Sequence, residues 1–292
     1  MTKLALSMWS YVRAWRRGDI DIPGFLEVAK GMGIAGVELL DVFFADDAKW
    51  MAQTKEVAHL ARSMGMQLPI FSVSNDFTEE GKESYTRNLE KVQKGIERAV
   101  LLGAEVVRVF AGGGENVQDH QVAYARVVEG LSSASEYAKS RGVRLALENH
   151  GRFAGRGDQV ITLIREVRAK TRTATLGSNP DPANFLLADE EPHSGVSMVA
   201  PVAYMAHLKD FAPAHEDKGH VFISMEGKRY VGVPLGDGIV PLRKCLQTLR
   251  EAGFRGWVSV EYEAEEDERT GIPKSLAVAR NILQDLWGRS VE

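Results

Sequence analysis

Short apolar runs alternate with longer stretches of helical spacing along almost the whole chain. Runs at 4–8, 34–40, 67–73 and 105–110 read as buried strands, each leading into a polar or glycine-containing loop. Further strands are expected at 143–150, 172–176, 203–208 and 257–262. Between them lie helices. The first starts at Asp21-Ile22-Pro23, where aspartate caps and proline fits the first turn, and runs to Gly31 or Gly33. Residues 46–64 place Trp50, Val57, Leu60 and Ala61 on one face. Helices are also expected at 83–102, 118–140, 159–170, 240–251 and 273–287, the first two ended by Gly103 and Gly142. The region after 176 is less regular, with 198–202 closing a short helix, and 211–238 reads as a long polar loop.

Strands alternating with helices imply a parallel sheet. Eight such units in 292 residues match a single α/β domain over 1–292 built as one (β/α)8 TIM barrel. The competing architecture is an open doubly wound sheet. No Gly-x-Gly-x-x-Gly turn follows the first strand, which weighs against its dinucleotide-binding form. Gly112-Gly113-Gly114 lacks the Walker lysine and reads as a flexible turn.

Composition narrows the partners. A net charge of −4 argues against a nucleic-acid binder with a phosphate-tracking surface. The lone Cys245 excludes an intrachain disulfide and fits a reducing compartment. The first residues lack the apolar core of a signal peptide and soon meet Arg13, Arg16 and Arg17. No stretch is long enough to span a bilayer. The expectation is a soluble cytoplasmic protein without membrane partners, monomeric or a homo-oligomer (dimer or tetramer).

Polar endings carry the chemistry. Strands five to eight end at Glu148, Asp181, His207 and Glu261. In a barrel those ends open on one face, where active sites lie. Each residue has an ordinary explanation: a solvated Glu148, an Asp181 capping at Pro182, a structural His207, a Glu261 in an acidic run. Their joint placement on successive strands favours convergence on one divalent ion. Carboxylate and imidazole donors suit Mn²⁺ first, then Mg²⁺ or Co²⁺, and accommodate Zn²⁺.

Five segments deepen this reading: Leu-Glu-Asn-His (147–150), Asn-Pro-Asp-Pro-Ala-Asn (179–184), His-Leu-Lys-Asp (207–210), Pro-Leu-Gly-Asp-Gly (234–238) and Val-Ser-Val-Glu-Tyr-Glu (258–263). Together the chain resembles the xylose-isomerase-like TIM-barrel family of sugar isomerases and epimerases. The resemblance implies that Glu148, Asp181, His207 and Glu261 are the metal ligands, with Glu263 the rival for the last place. It puts Asn184 where the family carries His or Asn. It makes Glu148 and Glu261 the catalytic acid/base pair. The implied activity is a metal-dependent isomerase or epimerase acting on an unphosphorylated ketose or keto-sugar through an enediolate. The alternative is a lyase, eliminating water or decarboxylating an inosose or 3-keto sugar derivative.

Other residues are candidate substrate contacts. His150 shares strand parity with Glu148. Lys209 can neutralise an enediolate or simply pair with Asp210. Arg108 lies inside the fourth strand and needs a buried partner, for which Glu38 is the candidate. Trp9 and Tyr11 follow the first strand, and Phe43 and Phe44 the second; such rings pack on sugars or cap barrels. The 211–238 segment carries His215, His220, Lys228 and Arg229 and reads as a lid or subunit contact. Two weaker readings are an abasic-site endonuclease and a non-catalytic sugar-binding barrel. The first needs a histidine-rich three-metal cluster, whereas only His207 and His150 of seven histidines fall at strand ends.

Overall fold

The computed structural model describes residues 2–45, 48–214 and 219–288. Eight parallel strands form one sheet: β1 (Lys3–Ser7), β2 (Gly36–Leu40), β3 (Gln67–Ser72), β4 (Val106–Val109), β5 (Arg144–Glu148), β6 (Leu176–Asn179), β7 (Met205–Leu208) and, last in the chain, β11 (Trp257–Val260). The order runs from β6 back to β1 and on through β11 to β7. Backbone bonds from Tyr204 to Ser178 and from His207 to Pro180 join β7 to β6 and close the ring. The fold is a (β/α)8 barrel.

Helices wrap the outside. They are α1 (Val12–Arg17), α2 (Ile22–Gly31), α3 (Trp50–Ser63), α4 (Lys82–Leu102), α5 (His120–Ser140), α6 (Gly151–Ala154), α7 (Gly157–Thr171), α8 (Pro182–Leu187), α9 (Pro192–Val199), α10 (Leu242–Glu251) and α11 (Glu268–Trp287). Asp21 caps α2 by accepting the Gly24 N–H at 2.8 Å, as the sequence implied. The expected start of the next helix at Asp46 lies outside the described residues. No described helix is long and apolar enough to cross a membrane.

Three elements differ from expectation. The sixth strand is not 172–176 but Leu176–Asn179, because Arg172 takes a left-handed conformation (φ 51°) that ends α7. The 211–238 segment is not a plain loop. It holds β8 (Asp210–Pro213), β9 (Val221–Ile223) and β10 (Arg229–Val233), an antiparallel sheet of order β8-β10-β9. Its own apolar cluster supplies the reason: Phe211 packs on Phe222 (4.7 Å between centroids) and on Tyr230 (6.3 Å). Gly232 seats this sheet on the exit of β11, where any Cβ would lie 2.2 Å from the Glu263 carbonyl. Finally, α11 starts well before Pro273, since Asp267 accepts the Arg269 N–H at 2.8 Å and caps the first turn.

The barrel interior is layered by strand parity. Ile70, Val106, Ala146 and Met205 form a separate apolar cluster, flanked by Tyr204 and Trp257. Two residues further along the same strands stand Ser72, Arg108, Glu148 and His207, all buried. The chain thus changes from an apolar plug to a charged layer within one repeat of the pleat.

Candidate metal centre

Glu148 ends β5 and Asp181 caps α8 just beyond β6, its Oδ1 accepting the N–H groups of Ala183 (3.0 Å) and Asn184 (3.4 Å). His207 lies within β7, and Glu261 follows the last residue of β11. Each of these four buried residues offers a ligand atom, and the four atoms lie within 4.8 Å of one another. The geometry therefore brings together all four residues expected to bind metal.

The imidazole is oriented for such a role. Its Nε2 lies 3.0 Å and 3.1 Å from the two Glu38 oxygens, so Nε2–H donates to Glu38 and Nδ1 turns towards the cluster. Nδ1 stands 3.4 Å from Glu148 Oε2 and 3.9 Å from Glu261 Oε1. Glu148 is held from three sides. Asn184 Nδ2 donates to Oε1 at 3.0 Å, Asn179 Nδ2 donates to Oε2 at 3.2 Å, and Arg108 Nε approaches Oε2 at 3.0 Å. That last contact is an ion pair; the Nε–H is not aligned for a hydrogen bond. Asn149 clamps the Asp181 backbone, accepting its N–H at 2.7 Å and donating to its carbonyl at 2.9 Å.

Charge decides what the cluster can bind. Glu38, Glu148, Asp181, Glu261 and Glu263 face two permanent cations, Arg108 and Lys209, in a space largely closed to water. Burial would raise the Glu148 carboxyl, but Arg108 and then His207 hold it well below the usual range. Glu38 is likewise opposed by burial and carried down to about 2 by His207 and Arg108. Glu261 is the exception. Burial, aided by Glu263 and Glu148, outweighs Lys209 and His207 and pushes it up to about 7. Burial works against a charged His207, yet Glu38, Glu261 and Glu148 raise it well above its ordinary value. Protons on His207 and Glu261 thus occupy the place of missing positive charge. Asn179 Oδ1 is buried without a hydrogen-bond partner, and Asp181 Oδ2 is met only by the Lys209 ammonium at 3.2 Å. The donor types, the surplus of negative charge and the open Asn179 acceptor all fit a divalent ion.

The remaining candidates divide. Lys209 does not pair with Asp210; its Nζ reaches Asp181 Oδ2 (3.2 Å), Glu261 Oε2 (2.9 Å) and Glu263 Oε2 (2.8 Å). Asp210 instead accepts backbone N–H groups from Phe211, Gly236, Gly238 and Val240, folding the segment after β10 against β8. Arg108 pairs with Glu148 rather than with Glu38, because Glu38 is committed to His207 and to Ser72 Oγ (2.5 Å). Trp9 Nε1 donates to Glu263 at 2.7 Å, tying Glu263 to Lys209 instead of to the four-residue cluster. Tyr11, Phe43 and Phe44 are buried against Phe25, Trp15 and Phe71. Lys228 pairs with Asp189 and Glu226. His215 lies outside the described residues.

His150 is not one of the four clustered residues; its ring packs on Phe110 (4.8 Å between centroids) at the edge of a cavity of about 200 Å³. Desolvation by the surrounding protein lowers its pKa below the ordinary value. Asn184 lines the same cavity and so links it to Glu148. Sequence reasoning missed the site roles of Glu38, Asn149 and Asn179. For Glu38 the signal was a lone carboxylate in an apolar strand, sharing inward parity with the other site residues. Asn179 was hidden by the misplaced sixth strand.

A family profile described as xylose isomerase-like TIM barrel matches residues 26–282. The chain belongs to this family. It is 24% identical over 242 residues to a 3-dehydroshikimate dehydratase of Pseudomonas aeruginosa, covering 82% of the chain and 36% of that enzyme. It is 25% identical over 170 residues to an inosose dehydratase of Bacillus anthracis, covering 56% of the chain and 55% of the relative. The chain thus spans about half or less of these curated relatives. Its fold superposes on a structure of L-ribulose 3-epimerase with a TM-score of 0.76 at 15% identity, covering 98% of this chain and 96% of the other.

Proposed function

We propose that this protein is a divalent-metal-dependent enzyme that moves a proton at a carbon next to a carbonyl, on an unphosphorylated keto-sugar or cyclitol. The observation that carries the reading is the pair Glu148 and Glu261, facing one centre in unlike environments. Carboxylates pushed apart in this way divide into base and acid. Glu148 stays ionised beside Arg108 and accepts the proton. Glu261, which this fold protonates more readily than Glu148 and which has Lys209 Nζ at 2.9 Å, returns a proton to carbon or to a departing hydroxyl. A bound divalent ion supplies Lewis-acid stabilisation of negative charge on the substrate oxygen. Glu148, Asp181, His207 and Glu261 would hold it, and Mn²⁺ is the first ion to test.

Two outcomes share that first step. In dehydration, Glu148 breaks the C–H bond, its electrons form the C=C bond, and the β C–O bond breaks as Glu261 protonates the leaving oxygen to water. The dehydratase relatives and the ammonium beside the acid support this outcome. In epimerisation or isomerisation, the proton returns to carbon from Glu261; the likeness to an epimerase fold leaves this as the second reading. NMR in deuterated water with Mn²⁺ separates them across inososes, ketoses and 3-keto-glycosides. Loss of water with formation of an unsaturated ketone identifies the lyase. Deuterium in a product of unchanged mass formula identifies the epimerase or isomerase. Full metal occupancy with neither exchange nor turnover would leave a non-catalytic sugar-binding barrel.

A further inference from the structure

Lys209 spans three carboxylates that differ in depth. Its Nζ lies 3.2 Å from Asp181 Oδ2, 2.9 Å from Glu261 Oε2 and 2.8 Å from Glu263 Oε2, and those side chains are 0%, 7% and 18% exposed. Asp181 and Glu261 belong to the four-residue cluster, and Glu263 does not. The ammonium thus reaches from the deepest of the three carboxylates to the outermost.

Asp181 has a single oxygen to offer an ion. Its Oδ1 is taken by the Ala183 and Asn184 N–H groups that start α8, which leaves Oδ2. That oxygen is the one Lys209 approaches, and the contact is the longest of the three. It is also an ion pair without a hydrogen bond, whereas Lys209 donates a hydrogen bond to Glu261 Oε2. Glu261 is not divided in this way. Its Oε1 stands 3.9 Å from His207 Nδ1, on the side of the cluster, while Oε2 holds the lysine. Two cations on one carboxylate oxygen repel strongly where water is excluded. Asp181 Oδ2 is therefore the contested atom.

The ammonium has a second anchor. Trp9 Nε1 donates to Glu263 Oε1 at 2.7 Å, which fixes that carboxylate and leaves Oε2 to Lys209. No backbone shift is needed, because the flexible four-carbon stem can swing alone. The next residue, Asp210, is itself tied to the N–H groups of Phe211, Gly236, Gly238 and Val240.

We infer that Lys209 competes with the divalent ion for Asp181 Oδ2, yielding that oxygen when the ion binds while Glu263 and Glu261 Oε2 retain the ammonium. Lys209 stabilises the protein without the ion and limits how tightly the ion is held. Glu263 and Trp9 act as positioning residues that draw the ammonium outward. The inference rests on the proposed metal centre but needs no substrate to test.

Mn²⁺ affinity is measured by competition with a chelator, in alkaline buffer where protons do not compete for the carboxylates. Lys209→Met should bind Mn²⁺ about tenfold tighter than the parent protein. Its thermal midpoint should fall without Mn²⁺ and recover with it. Glu263→Gln should weaken binding about tenfold in the parent protein but by less than about threefold in the Lys209→Met background. Trp9→Phe, which removes an N–H without changing any charge, should weaken binding in the same direction. That arm decides the matter if Lys209→Met fails to fold. Unchanged or weaker affinity in Lys209→Met, equal effects of Glu263→Gln in both backgrounds, or no effect of Trp9→Phe would overturn the competition. Equal effects would mean that Lys209 acts through its charge alone. Absence of Mn²⁺ binding in the parent protein and every variant sinks the metal centre itself, whereas binding in the wrong order sinks only the role given to Lys209.

Discussion

The lower and upper layers of the barrel interior are made by the same strands, two residues apart. Ile70, Val106, Ala146 and Met205 pack below, and Ser72, Arg108, Glu148 and His207 stand above. Both layers are buried, but burial acts on them in opposite ways. Below, it stabilises by removing apolar surface from water. Above, it desolvates five carboxylates and is tolerated only through Arg108, Lys209, protons or an ion. Lower-layer substitutions should therefore be felt as stability, and upper-layer substitutions as binding and chemistry.

Removing a ligand should break the comparison most sharply. Glu148→Gln or His207→Ala is expected to lose the bound ion and to lower turnover by about 10²–10⁴-fold, checked by metal analysis and kinetics. Full metal occupancy in both variants would sink the ligand assignment. Met205→Ala below should do the converse. It is expected to cost about 2–5 kcal/mol of stability, read by denaturant unfolding, with metal content unchanged. A variant that lost metal but not stability would show that the layers are not separable.

Glu38→Gln sharpens the contrast from within the upper layer. It keeps a side chain beside His207 but removes the charge that orients Nε2–H. Metal affinity should fall about 10–100-fold, measured by competition with a chelator. Loss of stability without loss of affinity would assign Glu38 to the core instead.

The smallest effect is a pH signature confined to the upper layer. Glu38 sits at about 2 in the fold against an ordinary 4.5, so its stabilisation is present above 4.5 and fades as pH falls towards about 2. Glu261 shifts the other way, to about 7. The metal-free fold holds that proton more tightly than the unfolded chain. Its contribution is complete below 4.5 and is lost as pH rises through about 7. A bound ion would compete with that proton, so saturating Mn²⁺ should move the upper limb of this profile to lower pH and leave the lower one. Metal affinity itself should weaken below about pH 7. A metal-free unfolding profile flat between pH 5 and 8 would contradict the Glu261 assignment.

How much of this was legible in the chain depends on the kind of signal. Strands one to five and their helices follow from local patterning, because an apolar run between polar loops has few places to go. The sixth strand was misplaced because Arg172 adopts a left-handed turn that nothing in an arginine's neighbourhood announces. The β8–β10 sheet was read as loop because its strands are short and gather their apolar partners across the chain, Phe211 to Phe222 and Tyr230. At the centre, Glu148, Asp181, His207 and Glu261 were visible as strand endings. Their second partners were not.

By itself, then, the sequence determined the alternation that makes a barrel, the parity that turns one layer inward, and the four polar endings that meet on its open face. These are local facts of period and position. Tertiary structure decided the pairings: Arg108 with Glu148 rather than Glu38, Glu38 with His207, Lys209 among Asp181, Glu261 and Glu263 rather than beside Asp210. The reason is that every strand offers its inward charge to several neighbours at once. Only the closed ring, with its distances and its exclusion of water, selects which carboxylate meets which cation.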